Sequence, residues 1–142
     1  METIELASSL TLAVSGLHKR LRKQMPSAQS LSITDMTTMS CLYQHQTLYP
    51  LQLADLAKIK NQSMSQVLNR LAELKFISKV PDQNDKRKVA ISLTPQGKEM
   101  VEQCRYERSD WLAGAIDTVL TEGEINVLQE TVNILNKLSN FK

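Results

Sequence analysis

Six polar side chains in the middle of the sequence have the types and the spacing that base recognition in DNA requires. They fall within residues 62–74, where apolar residues recur with the period of a helix and would lie on its opposite side. The polar residues are Gln62, Ser63, Ser65, Gln66, Asn69 and Arg70. The apolar residues are Met64, Val67, Leu68 and Leu71. Glutamine and asparagine can pair with adenine through two hydrogen bonds, arginine can do so with guanine, and serine can bind several base edges. The pattern predicts a helix that buries one side and presents the other to a DNA major groove.

Positive charge surrounds this segment. Residues 58–88 contain 8 Lys/Arg against 3 Asp/Glu, whereas residues 99–142 contain 4 against 8. A directed field of this kind favours a polyanion as partner, although a solvated lysine-rich surface would give the same count. We expect three cations to reach phosphates or the minor groove, and two residues at the beginning of the helix to join the DNA-binding set. The three cations are Lys86, Arg87 and Lys88, and the two further residues are Lys60 and Asn61.

The elements that would position these side chains follow from hydrophobic periodicity. Apolar residues three and four apart predict a long first helix over 3–24 and a second helix that ends near Gln46, with Thr34 and Asp35 as its cap residues. A short third helix is predicted to begin at Leu51. Residues 58–61 form a tight connector to the helix over 62–74.

After this helix the period changes from 3.6 to 2. Residues 76–80 and 88–93 are predicted strands, and the turn-forming residues 81–85 join them into a hairpin with a charged tip. Thr94 and Pro95 suit the N-cap and first position of a further helix, and a Thr-x-x-Glu capping box at Thr121 opens the last one. The predicted fold is mainly α with a small β-hairpin wing, a winged helix-turn-helix with the order ααααββαα.

Composition excludes several other classes of protein. The 142 residues suit a single domain, residues 1–142, and four glycines with 4% aromatic residues are too few for a strand-rich fold. No apolar run approaches the roughly 20 residues that cross a bilayer, and the acidic N-terminus is unlike a secretory signal, so we expect no membrane partner and a cytoplasmic location. There is no Gly-rich phosphate loop, no Ser/His/Asp arrangement and no metal-ligand cluster beside His18 or His45. We therefore expect no enzyme activity, no cofactor and no metal.

Four segments resemble the MarR family of bacterial transcriptional regulators, and the wing with its following Leu-Thr-x-x-Gly turn is the most specific. The segments are Leu53-Ala54-Asp55-Leu56-Ala57, Met64-Ser65-Gln66-Val67-Leu68-Asn69-Arg70-Leu71, Asp82-Gln83-Asn84-Asp85-Lys86-Arg87 and Ser92-Leu93-Thr94-Pro95-Gln96-Gly97-Lys98. The resemblance implies a homodimer on double-stranded DNA, with residues 33–98 as the DNA-binding lobe and residues 1–32 and 99–142 as dimerisation helices. It further implies that the dimer binds a pseudo-palindromic operator, usually to repress transcription. A small aromatic or phenolic effector, or oxidation, would release the dimer from the DNA.

The resemblance also assigns roles within the wing. Asp85 matches the carboxylate that orients an arginine, here Arg87. Lys86 stands where the family often has arginine, which keeps the charge and loses the planar fork. Lys75 stands where the family often has glycine, so the preceding helix is expected to end without a left-handed cap.

Several residues keep two interpretations. The apolar faces of the terminal helices could form an intramolecular core, but these helices have little globular body to cover, which favours a dimer. Cys41 and Cys104 suit packing, and a redox role is the alternative. Residues of the second helix could face an effector pocket or solvent: Thr34, Thr37, Ser40 and Tyr43. The alternative for the whole chain is a helical protein–protein adaptor that keeps the winged-helix scaffold without binding DNA.

Overall fold

A computed structural model describes all residues, 1–142, and shows a mostly helical chain with one small antiparallel sheet. The helices are α1 (Thr3–Lys23), a 3-10 turn (Pro26–Ala28), α2 (Ile33–His45), α3 (Pro50–Ala57), α4 (Asn61–Glu73), α5 (Pro95–Val119) and α6 (Glu122–Ser139). The strands are β1 (Thr47–Leu48), β2 (Ile77–Pro81) and β3 (Val89–Leu93). The predicted fold class, mainly α with a β-hairpin wing, is confirmed.

The sheet contains one strand more than the predicted hairpin. Its order is β1-β3-β2, and both pairs are antiparallel. β2 and β3 pair from Ile77 opposite Leu93 outward to the wing, while β1 adds only Thr47 opposite Ser92 and one further pair. A two-residue strand has no period to detect, so the sequence reading missed it.

The chain divides into two compact units. We call Met25–Glu107 the wing unit, and Met1–Gln24 with Arg108–Lys142 the terminal unit. The wing unit has its own core in which residues from α2, α3, α4, β3 and α5 are fully buried: Met39, Leu42, Leu53, Met64, Leu71, Ile91 and Val101. The functional boundaries at 33 and 98 stay a prediction, since this division falls at 24/25 and 107/108.

In the terminal unit, α1 and α6 contain no buried residue. Apolar side chains along both helices are exposed, from Ile4 at 74% and Leu12 at 74% to Leu138 at 58%. None of the helices in the chain combines the length and the apolarity needed to cross a membrane.

Two helix starts were predicted with different success. α2 begins two to three residues earlier than expected: Ser32 is the N-cap, and the predicted cap residues Thr34 and Asp35 lie inside the helix. Ser32 and Asp35 form a capping box, with the Asp35 N–H donating to Ser32 Oγ at 3.0 Å and the Ser32 N–H donating to Asp35 Oδ2 at 2.9 Å. The capping box of Thr121 and Glu124 at α6 is confirmed.

The end of α4 corrects another expectation. Lys75 adopts the left-handed conformation, with φ 66°, although it is not a glycine. The Phe76 N–H donates to the Leu71 carbonyl and the Lys75 N–H donates to the Ala72 carbonyl, both at 3.0 Å, which is the Schellman pattern. A left-handed cap is therefore present, and the lysine bears a cost of roughly 1 kcal/mol that glycine would avoid.

Candidate nucleic-acid interface

α4 is held in place by one buried side. Met64, Val67, Leu68 and Leu71 are buried in the core of the wing unit, and the polar residues of α4 are exposed on the other side. The turn from α3 to α4 is closed by Lys58 in the left-handed conformation, φ 56°. This is the arrangement of a helix-turn-helix, in which the second helix presents its outer side to a groove.

The first two turns of α4 carry polar side chains that make no hydrogen bond within the chain. These are Gln62, Ser63 and Gln66, all exposed, and we call them the open polar face. Ser65 differs, because its hydroxyl donates to the Asn61 carbonyl at 3.2 Å. Side chains without internal partners keep all their donors and acceptors for a ligand.

Arg70 is engaged inside the protein. Its Nε–H donates to Asp35 Oδ2 at 3.2 Å and its Nη2 donates to Asp35 Oδ1, so two edges of the fork meet one carboxylate. The Asp35 side chain is 1% exposed and the Arg70 side chain 46%. The structure directs this fork to α2, and the role of Arg70 in DNA binding stays a prediction.

Opposing effects set the pKa of Asp35. Burial raises the pKa of this carboxyl, but the hydrogen bonds from Arg70 and from the Ser32 N–H outweigh burial and lower it below its ordinary value. Asp35 is therefore ionised at neutral pH and ties α4 to the beginning of α2.

Asn69 also has an internal partner. Lys79, on β2, donates from Nζ to Asn69 Oδ1 at 2.6 Å. One lone pair of the Asn69 amide oxygen is thus engaged by the Lys79 ammonium. The sequence reading did not single out Lys79.

The base of the wing is fixed by Asp82. Its carboxylate accepts the Tyr49 hydroxyl at 2.8 Å and the backbone N–H groups of Asn84 and Asp85 at 3.3 and 3.0 Å. The hydrogen bond from Tyr49 lowers the pKa of Asp82. Lys88 lies over the Tyr49 ring, 5.5 Å from its centroid, within cation–π range. These contacts join the wing to the residue that precedes α3.

The tip of the wing presents its cations to solvent. Asp85 Oδ1 accepts the Arg87 backbone N–H at 3.1 Å and the Arg87 Nε–H at 3.3 Å. The Arg87 side chain remains 92% exposed, and Lys86 is exposed beside it. An exposed pair of this kind adds little stability, but it restricts the directions in which the guanidinium points.

The Leu-Thr-x-x-Gly turn joins the end of α4 to the beginning of α5. The Thr94 hydroxyl donates to the Lys75 carbonyl at 2.6 Å and accepts the Gly97 N–H at 3.1 Å, so Thr94 caps α5 as predicted. A Cβ at Gly97 would lie 2.1 Å from the Phe76 carbonyl oxygen. Glycine is required here because the first turn of α5 touches the backbone that follows α4.

A cleft in the wing unit, of about 600 Å³, lies at the end of α2. Its lining combines apolar side chains with hydroxyls and one lysine: Leu42, Tyr43, Gln46, Thr47, Ser92, Leu93, Lys98 and Glu102. Tyr43 donates its hydroxyl to Glu102 at 3.0 Å, and Arg105 lies over its ring at 4.5 Å. The Thr37 hydroxyl instead donates back to the Ile33 carbonyl, inside its own helix.

Cys41 and Cys104 do not form a disulfide. Cys104 is buried, and its thiol donates to the Met100 sulfur at 3.8 Å. Burial raises the pKa of the Cys41 thiol. A raised pKa reduces the thiolate fraction, which favours the packing interpretation of Cys41 over the redox one.

Comparison with known proteins supports the interpretation of α3 and α4 as a helix-turn-helix. The family described as transcriptional regulator SarA/Rot matches residues 20–104. An HTH-type transcriptional regulator of Mycobacterium bovis is 31% identical over 130 residues, which cover 92% of this chain and 90% of that protein. The multiple antibiotic resistance protein MarR of Salmonella typhimurium is 30% identical over 80 residues, which cover 56% of each chain.

Solved structures show the same fold. A putative transcriptional regulator from Pseudomonas aeruginosa superposes with a TM-score of 0.88 at 22% identity, covering 98% of this chain and 97% of that one. NadR in complex with 4-hydroxyphenylacetate gives a TM-score of 0.67 at 24% identity, covering 100% and 96%.

Fold and relatives together define a winged helix-turn-helix transcriptional regulator, and not an enzyme. The chain belongs to the SarA/Rot family of transcriptional regulators, and its resemblance to the MarR family is confirmed.

Proposed function

We propose that this protein is a sequence-specific double-stranded DNA-binding regulator that acts as a homodimer on a pseudo-palindromic operator. The open polar face supports this proposal most directly. Three side chains with unsatisfied hydrogen-bonding groups lie on the first turns of α4, and such turns contact base edges in helix-turn-helix proteins.

The contacts divide by chemistry. Gln62, Ser63 and Gln66 read base edges in the major groove. Arg70 positions α4 through Asp35 and does not read a base. Four cations contact phosphates or the minor groove and supply affinity that depends on salt: Lys60, Lys86, Arg87 and Lys88. Asn61 and Ser65 position the protein through hydrogen bonds to phosphates, and Asn69, further along α4, is one more base contact.

The homodimer is supported by the terminal unit. α1 and α6 expose apolar side chains along their lengths and bury none. Contiguous exposed apolar surface of this kind marks an interaction site. A twofold partner would cover it, and it would present two α4 helices to half-sites about 34 Å apart.

The dimer would repress transcription by occupying an operator that overlaps a promoter. A bound effector would release the dimer from this operator. The cleft at the end of α2 suits a small aromatic acid, because Lys98 can pair with a carboxylate while Leu42 and Leu93 contact a ring. NadR, a structural neighbour, binds 4-hydroxyphenylacetate. A regulator of bacterial genes would act in the cytoplasm, where the DNA lies.

The test of DNA binding is selection of bound duplexes from a random pool. We expect a recovered site with two inverted half-sites whose centres are one helical turn apart. Duplex recovery no better than that of a control lacking protein would contradict DNA binding and favour a protein–protein adaptor. A single unrepeated half-site would contradict the dimer.

The effector is tested on the recovered site. Operator affinity is measured with and without 4-hydroxyphenylacetate, for the parent and for Lys98→Ala. We expect the ligand to weaken operator binding by the parent more than that by Lys98→Ala, because a ligand shifts only the states that it binds unequally. Equal affinity with and without the ligand would reject it as an effector.

A further inference from the structure

The Asn69–Lys79 contact has a consequence for which base is read. Asparagine pairs with adenine through both ends of its amide: the oxygen accepts from the adenine N6 amino group, and the nitrogen donates to N7. Here the oxygen already accepts a charge-assisted hydrogen bond from Lys79 Nζ at 2.6 Å. The second lone pair of this oxygen could still accept from adenine, but the adenine amino group, itself a donor, would then lie against the Lys79 ammonium, which disfavours adenine at this position.

The groups left at this position are mainly donors, and the remaining lone pair of Asn69 Oδ1 lies beside a positive charge. Asn69 keeps the two N–H groups of its amide, and the Lys79 ammonium keeps two N–H donors beside them. Both residues are exposed, Asn69 on α4 and Lys79 at the centre of β2. Guanine is the base that presents two neighbouring acceptors, O6 and N7, in the major groove.

We propose that Lys79 is a specificity-determining residue, which converts Asn69 from an adenine reader into one half of a donor pair that selects guanine. The inference rests on the proposed DNA binding. It extends the interface from α4 to β2, and it reverses the base that Asn69 alone would choose.

The experiment compares base preferences of the parent with those of Asn69→Ala, Lys79→Met and Lys79→Arg. Each protein is titrated against the recovered operator and against variants with every base substituted in one half-site. Asn69→Ala locates the position that Asn69 controls. At that position we expect the parent to prefer guanine over adenine by about tenfold, which corresponds to one good base contact.

The lysine variants then distinguish an effect of Lys79 on the hydrogen bonding of Asn69 from an effect of its positive charge alone. Lys79→Met frees the amide oxygen, so preference at this position should change from guanine to adenine, whereas Lys79→Arg should keep guanine. The matched control is Lys86→Met, which removes a wing charge and should weaken binding to all sequences alike. Thermal unfolding of all variants checks that the fold is unchanged, as expected for exposed side chains.

Three results would overturn the proposal. One is a parent that prefers adenine at the position located by Asn69→Ala. Another is Lys79→Met with the base preferences of the parent. The third is Asn69→Ala that weakens all sequences equally, which would make Asn69 a phosphate contact. Failure of the parent to bind any duplex would instead reject the proposed function itself.

Discussion

The wing unit and the terminal unit differ in how fully they bury their apolar side chains. Every buried residue of the chain lies within residues 25–107, where helices from four parts of the sequence and a small sheet enclose a common core. Residues 1–24 and 108–142 form helices with exposed apolar side chains and contain no buried residue. The difference teaches that only the wing unit has a complete core of its own. The terminal unit is expected to obtain its core from a second copy.

The strongest way to break this comparison is to charge the terminal face. Leu128→Glu with Leu138→Glu places two carboxylates on exposed apolar positions of α6. We expect a monomer by sedimentation and operator affinity lowered by about 10² to 10⁴, because one half-site binds without the avidity of two. The thermal unfolding transition of the wing unit should be unchanged in this variant. Gln129→Glu with Asn133→Glu, on polar positions of the same helix, is the control, and equal dimerisation of both variants would contradict the account.

The next largest effect is expected inside the wing unit. Gly97→Ala would place a methyl group 2.1 Å from the Phe76 carbonyl oxygen, so α5 or the end of α4 must shift. We expect a loss of about 3 kcal/mol in the free energy of unfolding, measured by denaturant titration. Gly123→Ala has open space around it and should be neutral or stabilising. Similar stability for both variants would show that the Leu-Thr-x-x-Gly turn is not tightly packed.

The Asp35–Arg70 pair sharpens the comparison through pH. Arg70→Met leaves a buried carboxylate with only its capping partners, and we expect a loss of about 2 to 4 kcal/mol at neutral pH. In the parent, the lowered pKa of Asp35 contributes stability above the unfolded pKa, and this contribution is lost as pH falls through the folded one. In the variant, only the hydrogen bonds from Ser32 oppose burial, so the pKa of Asp35 is higher than in the parent.

The difference in unfolding free energy between parent and Arg70→Met should therefore shrink as the pH falls below about 4, the ordinary pKa of aspartate. Lys79→Met removes an exposed cation and is the control, with a difference that varies little over the same range. A difference for Arg70→Met that is independent of pH would contradict the assigned role of Asp35.

The smallest effect is expected at the wing. Tyr49→Phe removes the hydroxyl that donates to Asp82 and keeps the ring beneath Lys88. Stability should change by less than about 1 kcal/mol, while affinity for all duplexes should fall a few fold, because the wing is less fixed. Titration against operator and scrambled duplex measures both. A change in base preference would contradict a purely positioning role for Tyr49.

Local patterns predicted much of this fold, and long-range pairs explain the remainder. The buried side of α4, the hairpin and the capping box at Thr121 all follow from residues within one or two turns. The Arg70–Asp35 contact joins residues that are 35 positions apart in the sequence, and the Tyr49–Asp82 contact joins residues that are 33 positions apart. No periodicity in the sequence predicts such contacts. The capping box of Ser32 and Asp35 is also local, but the sequence analysis placed the cap at Thr34 and Asp35 instead.

The same limit applies to Lys75 and Lys79. The left-handed conformation of Lys75 is supported by the Thr94 hydroxyl, which lies 19 residues away. The sequence places Lys79 in a predicted strand and in the basic segment 58–88, and neither feature predicts its hydrogen bond to Asn69. Sequence reasoning therefore identified the polar side of α4 but could not tell which of its side chains have internal partners.

The most direct test of the central claim is a titration of operator and scrambled duplex at several salt concentrations, with the parent and Gln66→Ala. Four cations per subunit, Lys60, Lys86, Arg87 and Lys88, predict a slope of log affinity against log salt of about −7 for a dimer. We expect the parent to prefer the operator by at least about 10³, and Gln66→Ala to lose about tenfold at one base position with the slope unchanged. Equal affinity of the parent for both duplexes, or Gln66→Ala that binds every sequence as the parent does, would contradict base reading by the open polar face.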